Sequence, residues 1–163
     1  MKSYYLIIIV LILSCSKDET NVITDSKNFI SSVDLSSLPQ IEAVNTVFYN
    51  LNNQEEDVLT TLKNSGVNTI RLRLWNNPSN NHSSFEEVKI FSQRIKARGL
   101  KVWISVHYSD TWADPGNQIT PSSWQDQPFN TIKDNLYNYT ENIIQEIQPD
   151  FIQIGNEINF GFL

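Results

Sequence analysis

The chain has 163 residues, and 12 basic against 18 acidic side chains give it a formal net charge of −6. An acidic chain without a basic stretch argues against nucleic acid and anionic lipid headgroups as partners. The single cysteine excludes a disulfide within the chain, and the length suffices for one hydrophobic core.

The N-terminus, MKSYYLIIIVLILSCSKDET, has the pattern of an export signal. Its apolar run, Tyr4–Leu13, is about half of the ~20 residues that a membrane-spanning helix needs. The segment ILSC resembles the lipobox of bacterial lipoproteins, in which the cysteine is acylated and becomes the mature N-terminus. We therefore predict a lipoprotein signal peptide at 1–14, and an acylated Cys15 with a flexible tether at 15–28. An ordinary signal peptide is the alternative.

The predicted location is that of an exported bacterial lipoprotein at the cell surface or outer membrane. The lipid would be its only contact with the membrane, since an acidic chain without a basic stretch does not favour binding to anionic headgroups.

After the tether, strand-like segments alternate with amphipathic helices. Strands are predicted at Asn28–Ser36, Val67–Trp75, Leu100–His107 and 150–157, and helices at 52–66, 84–99 and 130–147. For the first helix we expect Asn53 as N-cap with Glu56 at the capping-box position. For the second we expect Ser84 as N-cap with Glu87 three residues on.

This alternation predicts a parallel sheet covered by helices, either doubly wound or a (β/α)8 barrel. No Gly-rich turn follows the first strand, as a doubly wound fold would usually have. Polar and aromatic residues end several strands, where barrel enzymes place catalytic groups. A complete barrel needs ~250 residues. We therefore predict an α/β fold in which residues 29–163 form the N-terminal half, the first four β/α units, of an incomplete barrel.

The second strand, NTIRLRLW, carries two arginines on one face. Period two places Arg71, Arg73 and Trp75 together, opposite the apolar residues. One interpretation is that both arginines are structural and pair with carboxylates, because an unpaired buried guanidinium is costly. The interpretation we favour is that Arg73, nearer the strand's end, orients a catalytic carboxylate.

The third strand runs into SVHYSDTWADPGNQ, which combines rings with polar groups. Together, His107, Tyr108, Asp110 and Trp112 offer rings that could stack on sugar faces and polar groups that could bind hydroxyls. A satisfied core histidine is the plainer interpretation of His107. A metal site of His107, Asp110 and Asp114 is a further alternative, although it lacks a second clear histidine ligand.

The fourth strand ends in Gly-Asn-Glu. A glutamate at a strand end on a hydrophobic scaffold can have its pKa raised by desolvation, which suits Glu157 to general-acid catalysis. Asn156 beside it can donate to a sugar 2-hydroxyl, a contact that strengthens in an oxocarbenium-like transition state.

Three segments, GVNTIRLRLWNNP, VHYSDTWADPGNQITPSSW and DFIQIGNEIN, resemble the second, third and fourth strand motifs of glycoside hydrolase family 53. VDLSSLPQIE resembles its first-strand segment, so the resemblance runs from about Phe29 to the last residue. The family consists of retaining (β/α)8 barrels of clan A, endo-β-1,4-galactanases that act on type I arabinogalactan. The resemblance implies Glu157 as acid/base, Asn156 as its substrate-contacting neighbour, and a catalytic end lined by Arg73, Trp75, His107, Asp110 and Trp112.

Retention also needs a nucleophile ~5–5.5 Å from the acid/base. In the family this is a glutamate after the seventh strand, beyond the four strands predicted here, so we expect this chain to be an inactive fragment by itself. Asp34, on the first strand, is expected to organise the barrel floor or substrate subsites. No cofactor or metal is implied, although some bacterial members bind calcium in the later half.

Two other functions stay open. A non-catalytic galactan-binding surface lipoprotein would keep the aromatic groove, although a half barrel with open strand edges disfavours it. Another clan A β-glycanase is the second alternative, and the third-strand block disfavours it.

Overall fold

The computed structural model describes residues 29–159 and residue 161. The predicted signal peptide, Cys15 and the tether lie outside these residues. Within the described part of the chain, no helix is long and apolar enough to cross a membrane.

Four parallel strands form one sheet in the order β1-β2-β3-β4. The strands are β1 Ser32–Asp34, β2 Thr69–Leu74, β3 Lys101–Val106 and β4 Phe151–Ile154. Asp34 pairs with Arg71 across the first ladder, and Ser105 pairs with Arg73 and with Gln153 across the next two. The predicted parallel sheet is confirmed. Each strand is shorter than predicted, because the ladder pairings extend only over these residues.

The helices are α1 Leu38–Glu42, α2 Val58–Asn64, α3 Phe85–Ala97 and α4 Phe129–Ile147, with a 3-10 turn at Ser122–Trp124. The sequence pattern did not predict α1 or the 3-10 turn, both too short to show a periodicity. The other three helices alternate with the strands as predicted.

The predicted cap of α2 is wrong. Asp57, not Asn53, is the N-cap, and its carboxylate accepts a hydrogen bond from the Thr60 N–H at 3.1 Å. Asn53 instead lies in a preceding turn with φ 57°. Both residue types favour N-caps, and a tertiary contact decides between them, since Arg94 of α3 holds the Asp57 carboxylate at 2.6 Å.

The predicted start of α3 is confirmed. The Ser84 hydroxyl accepts from the Glu87 N–H at 3.3 Å. The Glu87 carboxylate reaches back to the Ser83 N–H at 2.7 Å, one residue earlier than in the standard capping box. The helix ends just before Gly99, whose φ of 69° suits a glycine.

The sheet has one apolar and one polar face, as period two on β2 predicts. The outward side chains of β2 and β3 are buried under the helices, and the core they form comprises Ile70, Leu72, Leu74, Val102, Ile104, Val106, Leu59, Val88, Phe91, Ile95, Ile143 and Ile147. On the opposite face, Arg73, Ser105 and Gln153 are in register across β2, β3 and β4, and Arg71 pairs with Trp103. This inner face positions the site.

An ion network joins the first three helices. Arg94 of α3 donates to both carboxylate oxygens of Glu42, at 2.5 and 2.8 Å, and to Asp57 at 2.6 Å. The hydrogen bonds that Arg94 donates to Glu42, and those to Asp57, raise the pKa of Arg94 despite its partial burial. A bidentate ion pair such as Arg94–Glu42 is stronger than an ordinary surface ion pair.

We expect Asp57→Ala to lower the free energy of unfolding by about 1–2 kcal/mol through loss of the helix cap, with a further loss from the Arg94 pair. Asn53→Gly keeps the left-handed backbone while removing the side chain, so it should change stability by less than about 0.5 kcal/mol. Urea denaturation of both variants checks this. Equal losses in the two variants would contradict the assignment of the cap.

Candidate active site

The polar residues predicted from the strand ends lie at one edge of the sheet, since parallel strands all end there. Trp75 follows β2, His107 follows β3, and Asn156 with Glu157 follows β4. The structure therefore brings the predicted motifs to a common edge.

Arg71 links three strands. Its guanidinium donates to the Asp34 carboxylate at 2.7 Å, to the Ser105 hydroxyl at 2.8 Å and to the Asn156 side-chain oxygen at 3.2 Å. Burial alone would raise the pKa of Asp34, but hydrogen bonds from Ser36 and from Arg71 hold it below its ordinary value. Arg71 therefore matches the structural interpretation of the strand's arginines, and it pairs with a carboxylate.

Asn156 is buried, and both ends of its amide are held. The oxygen accepts from Arg71 and lies 3.4 Å from the Ser105 hydroxyl, while the NH2 group donates to the Ala113 carbonyl at 2.8 Å. These donors and acceptors fix which end of the amide is the oxygen. Among the residues that the structure describes, one amide hydrogen of Asn156 has no acceptor.

Arg73 lies between two indoles. Its guanidinium carbon is 4.5 Å from the Trp75 ring centroid and 4.2 Å from that of Trp112, and its Nε donates to the Ser83 hydroxyl at 3.0 Å. Burial lowers the pKa of Arg73. In the described part of the chain this side chain bonds to no carboxylate, so its predicted role in orienting a catalytic carboxylate stays a prediction.

His107 is buried in a defined tautomer. Its Nδ1 lies 3.0 Å from the Ala113 N–H, which it can accept only when unprotonated, so the ring hydrogen is on Nε2. Burial first, and then the positive charges of Arg73 and Arg71, lower the pKa of His107 to about 4. At neutral pH the ring is therefore a neutral hydrogen-bond donor.

Trp112 is an exposed aromatic residue that packs against Trp75, His107 and Arg73. Its side chain is 54% exposed, and its ring lies edge-on to Trp75 and His107, with centroids 5.8 and 5.7 Å apart. Arg73 occupies one side of it. A supported but exposed indole of this kind can serve as a platform for an apolar sugar face.

Asp110 ties two loops together. One carboxylate oxygen accepts from the Asn77 N–H at 3.0 Å, and the other accepts from the N–H and hydroxyl of Ser122 at 2.9 and 2.6 Å. The loop after β2 is thereby held against the loop after β3. The predicted contact of Asp110 with substrate stays a prediction, and the observed contacts give it a role in loop placement.

The metal alternative is wrong for the described residues. Residues 29–159 and 161 contain no group of three or more His, Cys, Asp or Glu side chains placed to hold a metal ion. The three candidates are each engaged by protein donors, since Asp114 accepts from the Gly116 N–H at 2.8 Å, and His107 and Asp110 bond as described above.

Glu157 is exposed, so the burial on which the sequence argument relied is not provided by the described residues. Its backbone is left-handed, with φ 50°. The side chain of Gln118, in the loop after β3, donates to the carbonyls of Asn156 at 2.8 Å and of Glu157 at 3.4 Å. The sequence argument missed this glutamine, although it ends the ADPGNQ segment.

Comparison with known proteins places the chain in a family. The profile of Glycosyl hydrolase family 53 matches residues 30–163. The endo-beta-1,4-galactanase of Bacillus subtilis is 35% identical over 150 residues, which cover 84% of this chain. A structure from work on two fungal beta-1,4-galactanases superposes with a TM-score of 0.77 at 38% identity over 82% of this chain. The Ignisphaera aggregans GH53 catalytic domain gives 0.79 at 38% identity over 83%.

This chain spans only part of each relative. It covers 35% of the Bacillus subtilis protein and 42% and 41% of the two solved chains. The four strands and their helices correspond to the N-terminal portion of a (β/α)8 barrel, which confirms the predicted fold class.

We expect the His107 ring to titrate near pH 4 rather than near its ordinary pKa of 6.5. Because the folded pKa is depressed, the unfolded chain takes up this proton first. The ring's contribution to stability is therefore complete above about pH 6.5 and declines as the pH falls toward about 4. NMR titration of the imidazole and denaturation across that pH range measure both effects.

His107→Gln serves as the control, because it removes the titrating group and should flatten this part of the stability profile. Protonation of the wild-type ring near pH 6.5 would contradict the assigned tautomer and its burial.

Proposed function

The chain belongs to glycosyl hydrolase family 53, as its motifs predicted, and we propose from this that the protein acts in endo-hydrolysis of β-1,4-galactan, as in type I arabinogalactan, with retention. The galactanase names of its relatives support the substrate. The observation that carries the proposal is the meeting of Asn156 and Glu157 with the Trp112 platform at one edge of the sheet.

In this proposal Glu157 is the proton donor. The bond between the anomeric carbon and the departing oxygen breaks while the second carboxylate, the nucleophile, bonds to that carbon, and the departing oxygen takes the proton of the Glu157 carboxyl group. The same group then removes a proton from the water that releases the product. The exposure of Glu157 leaves its carboxyl group accessible to a polysaccharide chain.

Asn156 and His107 are proposed to bind substrate hydroxyls. The fixed amide of Asn156 has one hydrogen free for the sugar 2-hydroxyl, whose bond strengthens in the transition state. The Nε2–H of His107 offers a second donor that does not change its protonation between pH 5 and 8, since its pKa is lowered to about 4. Trp112 would stack on a sugar ring.

The nucleophile is expected outside the four described strands. By the family resemblance it follows a seventh strand, and it would stand ~5–5.5 Å from the Glu157 carboxylate. Asp34 is a poor substitute, because both of its oxygens are held by Ser36 and Arg71. The four described strands therefore supply the acid side of a two-carboxylate site.

The N-terminus is proposed to export and anchor the protein. The apolar run and the ILSC segment support acylation at Cys15 and a location at the cell surface or outer membrane. A surface location would suit hydrolysis of a polysaccharide too large to enter the cell.

Glu157→Gln keeps the size of the side chain but removes its transferable proton. In the protein expressed from its complete reading frame, we expect kcat/KM on β-1,4-galactan to fall by about 10²–10⁴-fold, the usual contribution of a general acid. Reducing-sugar release measures this. Glu146→Gln is the matched control and should retain activity, because it changes an exposed glutamate on α4 that pairs with Lys89 of α3.

Other outcomes would select the alternatives. Galactan binding by the wild type without sugar release would indicate a non-catalytic binding protein. Faster hydrolysis of mannan or xylan than of galactan would indicate another clan A β-glycanase.

Cys15→Ser removes the only thiol in the chain. We expect the variant to lose incorporation of radiolabelled palmitate and to leave the membrane fraction, whereas Ser16→Ala should keep both. Unchanged labelling of Cys15→Ser would rule out acylation at this position.

A further inference from the structure

The ADPGNQ segment after β3 forms a tight turn. Asp114 and Asn117 exchange backbone hydrogen bonds at 3.3 and 2.9 Å, and the Asp114 carboxylate accepts from the Gly116 N–H at 2.8 Å. The side-chain NH2 group of Asn117 donates to the Trp112 carbonyl at 3.1 Å. The turn thereby fixes the direction in which Gln118 leaves it.

The Gln118 side chain is directed at the end of β4. Its Nε2 lies 2.8 Å from the Asn156 carbonyl oxygen, 3.4 Å from that of Glu157 and 3.1 Å from that of Asp114. An amide NH2 group has two hydrogens, so at least one of them is shared between acceptors. These contacts are to backbone atoms and leave the Glu157 carboxyl group unobstructed.

The chain at the end of β4 needs such support. The ladder with β3 stops at Ile154, which pairs with Val106, and the carbonyls beyond it have no strand partner. Gly155 and Glu157 both have positive φ, 84° and 50°. For a glutamate this left-handed conformation is unfavourable unless the surroundings maintain it. Gln118 donates to the carbonyl of this residue and to the one before it.

We infer that Gln118 is a positioning residue for Glu157, holding the left-handed backbone that directs its carboxyl group into the site. The inference rests on the proposed function, in which Glu157 is the proton donor. Gln118 acts through the backbone of Asn156 and Glu157 and does not touch substrate.

The position of the Glu157 carboxyl group matters most for substrates whose leaving group cannot depart without a proton. A general acid must be within ~2.6–3.2 Å of the oxygen that it protonates, and small misplacements carry large rate penalties. A sugar leaving group needs the proton from Glu157 as the bond to the anomeric carbon breaks. A dinitrophenolate leaving group is already a stable anion and departs without it. Loss of positioning should therefore affect the two kinds of substrate unequally.

Two variants of similar size remove the donor. Gln118→Met lacks polar hydrogens, and Gln118→Glu replaces the NH2 group by an acceptor. Gln125→Ala is the matched control, because Gln125 lies in the same loop and, within residues 29–159 and 161, its Nε2 donates to the Thr120 carbonyl alone, at 3.1 Å. Thermal melting followed by circular dichroism shows whether each variant is folded.

The first measurement does not depend on activity. NMR carbonyl-carbon shifts of Asn156 and Glu157, which report hydrogen bonds accepted there, should change in both Gln118 variants and stay unchanged in Gln125→Ala. Unchanged shifts in a folded Gln118 variant overturn the inference. If one substitution prevents folding, the other supplies the result.

The second measurement compares substrates. With the protein expressed from its complete reading frame, kcat/KM on galactan should fall about 10- to 100-fold in Gln118→Met, less than the full contribution of a general acid. On a dinitrophenyl β-galactobioside, the dinitrophenolate leaves without a proton, so kcat/KM should fall less than about threefold. Equal losses on both substrates overturn the inference. If the wild type hydrolyses neither, the proposed function fails and the carbonyl shifts alone decide the contacts of Gln118.

Discussion

The site depends on how two cations on one face of β2 are compensated. Period two buries Ile70, Leu72 and Leu74 under the helices, which leaves Arg71 and Arg73 on the inner face. A partly buried guanidinium is stable there only with partners. Arg71 takes a carboxylate, a hydroxyl and an amide oxygen, and Arg73 takes two indoles. The partners that stabilise the two guanidinium groups, among them Asn156 and Trp112, are also residues of the candidate site.

The loop after β3 organises the rest of the edge. Asp110 fastens it to the loop after β2, and Gln118 fastens it to the end of β4. Trp112 lies between these two attachments and stays exposed. One loop thus sets the distance between the exposed Trp112 ring and Glu157, the two residues to which the proposed function assigns stacking and proton donation.

The sequence predicted the features that depend on periodicity and on strand ends. The parallel sheet, three of the helices and the shared edge follow from alternation of apolar residues, and the start of α3 follows from its capping pattern. Contacts between distant segments were not predictable in this way. Asp57 rather than Asn53 caps α2 because Arg94, on another helix, binds the Asp57 carboxylate. Gln118 acquires its role only because the turn before it lies against the end of β4.

The backbone of Ala113 joins two polar side chains at this edge of the sheet, His107 and Asn156. Its N–H bonds to the ring of His107 and its carbonyl to the amide of Asn156, and its own side chain is fully buried. A link made of peptide atoms survives every side-chain replacement that fits, so alanine scanning of this loop would overlook it. Proline at this position would remove the N–H and with it the support of the imidazole. The histidine tautomer is therefore encoded in the path of the main chain rather than in the identity of any side chain.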